Sequence, residues 1–173
     1  PLTPAEFSSI HRRIFTGVIR HAGEFREYDI TKREKVLRGD TVDYAPASDL
    51  PEALDYDMRR ERKFSYEGLT SDEAIAHFSE FITGIWQIHP FPEGNTRTTA
   101  VFAVRYLRHL GFTVHSEAFA ESSKYFRNAL VRANYTNFRK GVDSDMSFLI
   151  LFLRCLMLGE KHELRSSDLI IPA

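Results

Sequence analysis

The segment HPFPEGNTR, residues 89–97, combines residue types that can bind and transfer a phosphate-containing group. Two prolines end one predicted helix, and a second helix opens at Gly94 or Asn95. The first N–H groups of that second helix have no intrahelical partner and lie at the positive end of its dipole. The segment therefore predicts an anion site, and Gly94 leaves room for the main chain to approach a phosphate.

Side chains around this helix start are expected to complete the site. Asn95 either caps the helix or donates its amide to a phosphate oxygen, Thr96 lies beside the same N–H groups, and Arg97 supplies a planar guanidinium. The carboxylate of Glu93 would repel phosphates unless a Mg²⁺ ion lay between them. His89 has the residue type of a general base, with an ordinary pKa of ~6.5. Together these residues predict transfer of a phosphate-containing group onto a hydroxyl.

Each of these residues also has an ordinary structural interpretation when taken alone. A histidine before proline is more often a loop or capping residue, and Glu-Gly-Asn is a common turn. Arg97 by itself would be a solvated helix residue. The order and spacing of the whole set over one helix start are what favour a transferase site.

The segment resembles the signature of the Fic (filamentation induced by cyclic AMP) family, H-x-F-x-[D/E]-G-N-G-R-x-x-R. The positions that agree are His89, Phe91, Glu93, Gly94, Asn95 and Arg97. Residues 10–15 and 22–26 resemble the family's N-terminal helix and its AG-x-[FY]-R turn. Tyr125-Phe126 and Ala129-Leu130 resemble residue pairs in the helix that follows the family signature. In this chain the first pair lines either an adenine pocket or the core. The resemblance covers roughly residues 10–155.

This resemblance implies a mainly helical bundle with a β-hairpin flap before the active-site loop, and the flap holds a target segment by strand pairing. It implies a protein adenylyltransferase that moves AMP from ATP to a Ser, Thr or Tyr hydroxyl of a target protein. By position, His89 would be the general base and Glu93 the ligand of Mg²⁺. Gly94 and Asn95 would form the anion hole, and Arg97 would contact a phosphate.

Two positions depart from the family pattern. Thr96 stands where the family has its second glycine, and Ala100 stands where it has a second arginine that grips the terminal phosphate of ATP. The inhibitory motif [S/T]-x-x-x-E-[G/N] does not occur in the chain, so either a separate protein or segment inhibits it differently or it is not controlled in this way. These departures leave open a different nucleotide or phosphoryl donor, and also a nucleotide-binding module with weakened catalysis.

Apolar periodicity predicts the elements that position this loop. Helices are expected over about residues 4–20, 50–62, 71–88, 94–110, 117–134 and 145–158. Residues 35–37 and 41–44 flank a glycine turn and predict the hairpin flap, over about residues 35–47. Within it, Val42 and Tyr44 either pin a target segment or pack as ordinary hairpin residues.

The length and apolar content fit one domain, and the resemblance implies that it is a single Fic-like domain over residues 1–173, with its core at about 10–155 and a polar tail over 159–173. The formal net charge of -1 gives no support for nucleic-acid or polybasic membrane binding. No apolar run reaches the ~18–20 residues of a membrane span. One cysteine, Cys155, forms no intrachain disulfide and favours a reducing compartment, so a cytoplasmic location is expected, with export as an effector left open. The chain begins at Pro1 without methionine, as a processed chain or part of a longer protein would.

Overall fold

The computed structural model describes residues 2–172 and shows, over this range, six α-helices and one two-stranded antiparallel hairpin. The helices are α1 (Pro4–Phe15), α2 (Leu50–Arg62), α3 (Ser71–Ile88), α4 (Asn95–His109), α5 (Glu117–Asn134) and α6 (Ser147–Leu158). The strands are β1 (Lys32–Arg33) and β2 (Thr41–Val42). The predicted mainly helical fold with a small hairpin is confirmed. Across the same residues, no helix combines the length and apolar character needed to cross a membrane.

Helix α3 lies at the centre of the fold and contacts α2, α4, α5 and α6. Its start is set by a capping box: Thr70 Oγ1 accepts from the Glu73 N–H at 3.2 Å, and the Glu73 carboxylate accepts from the Thr70 N–H at 2.8 Å. Phe78, Ile82 and Trp86 are among its many buried residues. Because neighbouring helices cover most of its circumference, α3 is a rigid support for the loop that follows it.

Helix α1 is shorter than its apolar periodicity predicts. The prediction of a helix to about Arg20 is wrong, since the helix ends at Phe15 and Gly17 adopts a φ of +81°. A positive φ just beyond the last turn is a common helix terminator. Val18 continues the apolar period in the sequence, yet its side chain is 78% exposed.

The first predicted strand of the flap is also wrong. Lys35–Leu37 forms a 3₁₀ turn with two buried apolar residues, and the strand lies earlier, at Lys32–Arg33. Lys32 pairs with Val42 and Arg33 pairs with Thr41. A short apolar run does not distinguish a strand from a buried turn, and here the C-terminal segment covers it, with the Ile171 N–H donating to Val36 O at 3.0 Å.

The remaining helix boundaries agree closely with the predicted ones. The helices expected over 50–62, 71–88 and 117–134 are confirmed, and the sixth begins two residues later than expected. The segment after α6 is more than a polar tail. Leu169 and Ile171 are buried in the core, and Arg132 Nη1 donates to Leu169 O at 2.7 Å.

Candidate active site

The loop between α3 and α4 begins with a strained residue. Helix α3 ends at Ile88, and the C-cap residue that follows, His89, has φ 52° and ψ 57° and therefore lies in the left-handed region. For a residue with a side chain this conformation costs about 1–2 kcal/mol, so the surrounding structure must hold it in place.

Asn95 closes the loop from inside. Its Oδ1 accepts from the Phe91 N–H at 2.9 Å, and its Nδ2 donates to Phe91 O at 2.6 Å. The expectation that this side chain caps the helix is wrong, because the N-cap is Gly94 and no side chain caps it. Both polar atoms of the buried Asn95 side chain bond Phe91, and its backbone N–H has no partner within the helix.

The first turn of α4 leaves backbone donors free for an anion. The first backbone bond of the helix runs from the Thr98 N–H to Gly94 O at 3.0 Å. The N–H groups of Asn95, Thr96 and Arg97 precede it, so the helix has no internal acceptor for them. These three donors lie at the positive end of the α4 dipole, which is the predicted anion cradle.

Gly94 is required by packing as well as by its φ of +79°. A Cβ there would lie 2.4 Å from Cε2 of Phe15, which no side-chain carbon can do without displacing the ring. The missing side chain therefore makes room for α1 rather than for a phosphate. The same Phe15 ring lies 5.4 Å from the guanidinium carbon of Arg97, close enough for a cation–π contact.

His89 is held as a neutral base. Its Nδ1 lies 3.1 Å from Trp86 O, and because a carbonyl oxygen only accepts, Nδ1 carries the hydrogen and Nε2 keeps a lone pair. The Tyr44 ring stacks on the imidazole at 3.9 Å. Burial, followed by the charge of Lys32, lowers the pKa of His89 from 6.5 to about 3. The imidazole is therefore uncharged at neutral pH and can accept a proton.

Thr96 makes a hydrogen bond that a glycine could not make. Its Oγ1 accepts from Nε1 of Trp86 at 2.9 Å, and Trp86 is 1% exposed. The bond ties the last turn of α3 to the first turn of α4. The Thr96 hydroxyl proton remains available, and Thr96 also lines the cavity described next.

A cavity of about 1080 Å³ opens over this helix start, which is space enough for a nucleotide. His89, Glu93, Gly94, Asn95, Thr96 and Arg97 all line it, so the structure brings together the six site residues predicted in this loop, whereas Phe91 of the signature is buried in the core. Ala100 lines the same wall, where its methyl group supplies no charge. Phe126 borders the cavity, whereas Tyr125 packs in the core.

The cavity lining is strongly basic. Its cationic residues are Lys32, Arg97, Arg105, Arg108, Lys124 and Arg127, and Glu93 is the one acidic residue lining it within residues 2–172. Arg127 binds both carboxylate oxygens of the buried Glu34 at 2.7 Å, and Arg105 pairs with Glu6 at 2.8 Å. The other four cations are left to attract an anion.

Glu93 could hold a divalent cation only together with a ligand. Within the described residues, no group of three or more His, Cys, Asp or Glu side chains is arranged to bind a metal. Mg²⁺ is commonly bound by one or two carboxylates plus substrate phosphates, so the single exposed carboxylate of Glu93 at the cavity wall fits that pattern.

The two flap residues lie behind the site. Val42 is buried in the core, and Tyr44 packs between His89 and Trp86, with its hydroxyl buried and without a hydrogen-bond partner in residues 2–172. Val42 is buried whereas Tyr44 is partly exposed, and target binding by these two flap residues stays a prediction.

Two residues near the N-terminus position the loop, and sequence reasoning assigned neither of them a role. His11 is buried, accepts from the Gly23 N–H at 2.8 Å through Nδ1, and donates from Nε2 to Glu93 O at 3.0 Å. Arg26 Nε donates to His89 O at 2.9 Å, and its backbone N–H donates to Pro90 O at 2.8 Å. Both residues lie among other polar residues in the sequence, so nothing local indicated that their side chains would be buried or which loop they would reach.

Comparisons with known proteins agree with this geometry. The family model described as the Fic/DOC family matches residues 1–107. The structure is similar to the Fic domain of a Bartonella sp. AR 15-3 effector protein, with a TM-score of 0.68, 15% identity and coverage of 90% of this chain and 70% of that one. It is also similar to the BepC effector protein of Bartonella tribocorum with bound AMPPNP, with a TM-score of 0.67, 18% identity and coverage of 90% and 74%. None of the curated proteins compared with the chain matches it.

Replacing Arg26 with methionine tests whether its guanidinium holds the loop. Arg26→Met leaves the buried oxygen of His89 and the partly buried oxygens of Tyr28 and Ala45 without their donor. We expect the free energy of unfolding to fall by about 3 kcal/mol or more in urea denaturation, since each unsatisfied buried group costs about 1–3 kcal/mol. The exposed Arg20→Met is the control and should change stability by less than about 0.5 kcal/mol. A loss below about 1 kcal/mol in Arg26→Met would contradict this role.

Replacing Thr96 with valine tests the bond to the indole. Thr96→Val keeps the shape of the side chain but leaves the buried N–H of Trp86 unpaired, which should lower stability by about 1–3 kcal/mol. Trp86 is the only tryptophan of the chain, so its emission spectrum reports the loss of the bond directly. Thr96→Ser retains the hydroxyl and should keep the spectrum of the unmodified protein. An unchanged spectrum in Thr96→Val would show that the bond is absent in solution.

Proposed function

The chain belongs to the Fic/DOC family, and on that premise we propose that it is a protein nucleotidyltransferase that moves AMP from ATP to a hydroxyl of a target protein. The observation that carries the proposal is a buried, uncharged imidazole beside the free N–H groups of a helix start. Both border one cavity with a basic lining. A base and an anion cradle on one wall are what transfer of a phosphate-containing group onto a hydroxyl requires.

The reaction assigns a separate task to each part of the site. The hydroxyl oxygen of the target attacks the α-phosphorus, and its proton passes to Nε2 of His89. The bond between the α-phosphorus and the bridging oxygen breaks, and pyrophosphate leaves with the electron pair. The N–H groups at the start of α4, with Arg97 and the Thr96 hydroxyl, would hold the phosphate oxygens as charge moves among them. His89 is returned to its neutral form when it releases the proton to solvent.

A nucleoside triphosphate is favoured as donor by the size and charge of the cavity. Its lining carries six basic residues against one carboxylate. The structurally similar BepC of Bartonella tribocorum was solved with bound AMPPNP, which supports the same class of ligand here. Glu93 would hold Mg²⁺ between its carboxylate and the phosphates, where the ion would neutralise developing phosphate charge.

The hairpin offers a way to hold the target. Strands β1 and β2 pair only with each other among the described residues, so each has a free edge that an extended segment could join. Backbone pairing would bring a target hydroxyl towards the site without requiring a particular target sequence. The target is therefore proposed to be a protein with an accessible Ser, Thr or Tyr in an extended segment.

Labelled ATP distinguishes this reaction from its alternatives. With ATP labelled at the α-phosphate, protein in a lysate should become labelled, and His89→Ala should reduce the rate at least ~100-fold, since a general base contributes about 10²–10⁴. His21→Ala, at an exposed histidine outside the cavity, is the matched control and should retain activity. Transfer of a γ-label instead would identify a phosphoryl transferase. If no label from either position reaches protein, the proposed reaction is wrong.

The depressed pKa of His89 has a consequence that NMR can measure in the free protein. The folded state keeps His89 neutral down to a pKa of about 3, whereas the unfolded chain binds a proton at about 6.5. The imidazole signal of His89, assigned by its loss in His89→Asn, should therefore stay constant from pH 8 to pH 5. The stabilisation from neutral His89 is complete above pH 6.5 and decreases as the pH falls below it. A titration midpoint near 6.5 would contradict the burial described here.

A further inference from the structure

Lys32 lies on the flap but borders the cavity. It is the first residue of β1, pairs with Val42, and lines the cavity together with His89 and the first turn of α4. Its side chain is half-buried. Neighbouring strand residues point to opposite faces, so Arg33 is exposed and does not line the cavity.

The Lys32 ammonium group is not neutralised by the protein. Among residues 2–172 it forms no ion pair. Both oxygens of the nearby Glu34 are committed to Arg127, and Glu93 lies beyond ion-pair distance. Burial, followed by the charge of Arg127, lowers the pKa of Lys32, with Glu34 and Glu93 acting in the opposite direction. A half-buried cation beside another cation is unfavourable in the free protein unless an anion joins them.

Close to its start, helix α4 supplies a single cation to the cavity wall, and its other two lining cations, Arg105 and Arg108, follow about two or more turns further along. Beyond Arg97, the residue one turn later on the same face is Ala100, which lines the cavity with a methyl group. A polyphosphate carries several negative charges along its length. A cation from another element that borders the cavity near the helix start, such as Lys32, could therefore meet phosphates that Arg97 does not reach.

We propose that Lys32 is a phosphate-binding residue that contacts the polyphosphate of the donor from the flap. The inference rests on the proposed nucleotide donor and adds to it a contact that the signature does not contain. Because Lys32 is part of the hairpin, binding of the donor also draws the flap against the cavity. Donor binding and the position of the target-binding strand are coupled through this one side chain.

Calorimetric titration of the full chain with AMPPNP and with AMP tests the contact without catalysis. Lys32→Met should weaken AMPPNP binding at least ~10-fold and AMP binding by less than ~3-fold, since a charge-assisted contact to the polyphosphate is removed. Lys32→Arg keeps the charge and should retain affinity. Arg33→Met, on the opposite face of the strand, is the matched control and should bind both ligands as the unmodified protein does.

Thermal unfolding of the free protein separates binding from structural support. Lys32→Met should unfold at the same temperature as the unmodified protein or higher, because an unfavourable charge is gone. Weaker AMPPNP binding without loss of stability supports the proposal. Equal losses for AMPPNP and AMP, a lower unfolding temperature, or unchanged AMPPNP affinity with a raised KM for target would each overturn it. If the unmodified protein binds neither ligand, the proposed donor fails and this inference fails with it.

Discussion

The buried guanidinium of Arg26 holds together three segments that are distant in the chain. It donates to His89 O at the end of α3, to Tyr28 O, and to Ala45 O after the hairpin. The carboxylate of Asp29 lies 3.9 Å away and is largely exposed, so carbonyl dipoles stabilise most of this buried charge. Since the C-terminal end of α3 is the negative end of its dipole, a cation is favoured there. The geometry of the loop and of the flap therefore depends on a residue 63 positions before the histidine.

The site lies where two helix ends of opposite polarity meet. The end of α3 faces the Arg26 cation, and the start of α4 offers free N–H groups to an anion. Burial, assisted by the positive charges of Lys32, Arg26 and Arg127, lowers the pKa of His89, and Lys32 and Arg127 also line the cavity. The cations that help burial to keep the base unprotonated therefore also attract phosphate. The hydrogen bond from Trp86 to Thr96 links the two helix ends directly. The threonine that stands in place of the family's second glycine therefore has a structural role.

The parts of the fold that the sequence predicted correctly are those set by neighbours a few residues away. Helix α3 begins at a capping box and stops before two prolines, and both signals are local. The predictions failed where contacts with residues distant in the sequence determine the local structure. Helix α1 stops at Phe15 although Val18 continues its apolar pattern, and residues 35–37 form a buried turn because the C-terminal segment packs over them.

The sequence by itself determined the helix–loop–helix joint and the residues of its signature, because capping, proline geometry and helix dipoles act over short distances. Only the tertiary structure decided what each side chain does. Asn95 turned inward to close the loop, Gly94 made room for Phe15, and Val42 entered the core. Lys32 lines the cavity because the hairpin folds back beside His89. Burial and electrostatic fields depend on which distant segments meet, and residue spacing along the chain does not specify that.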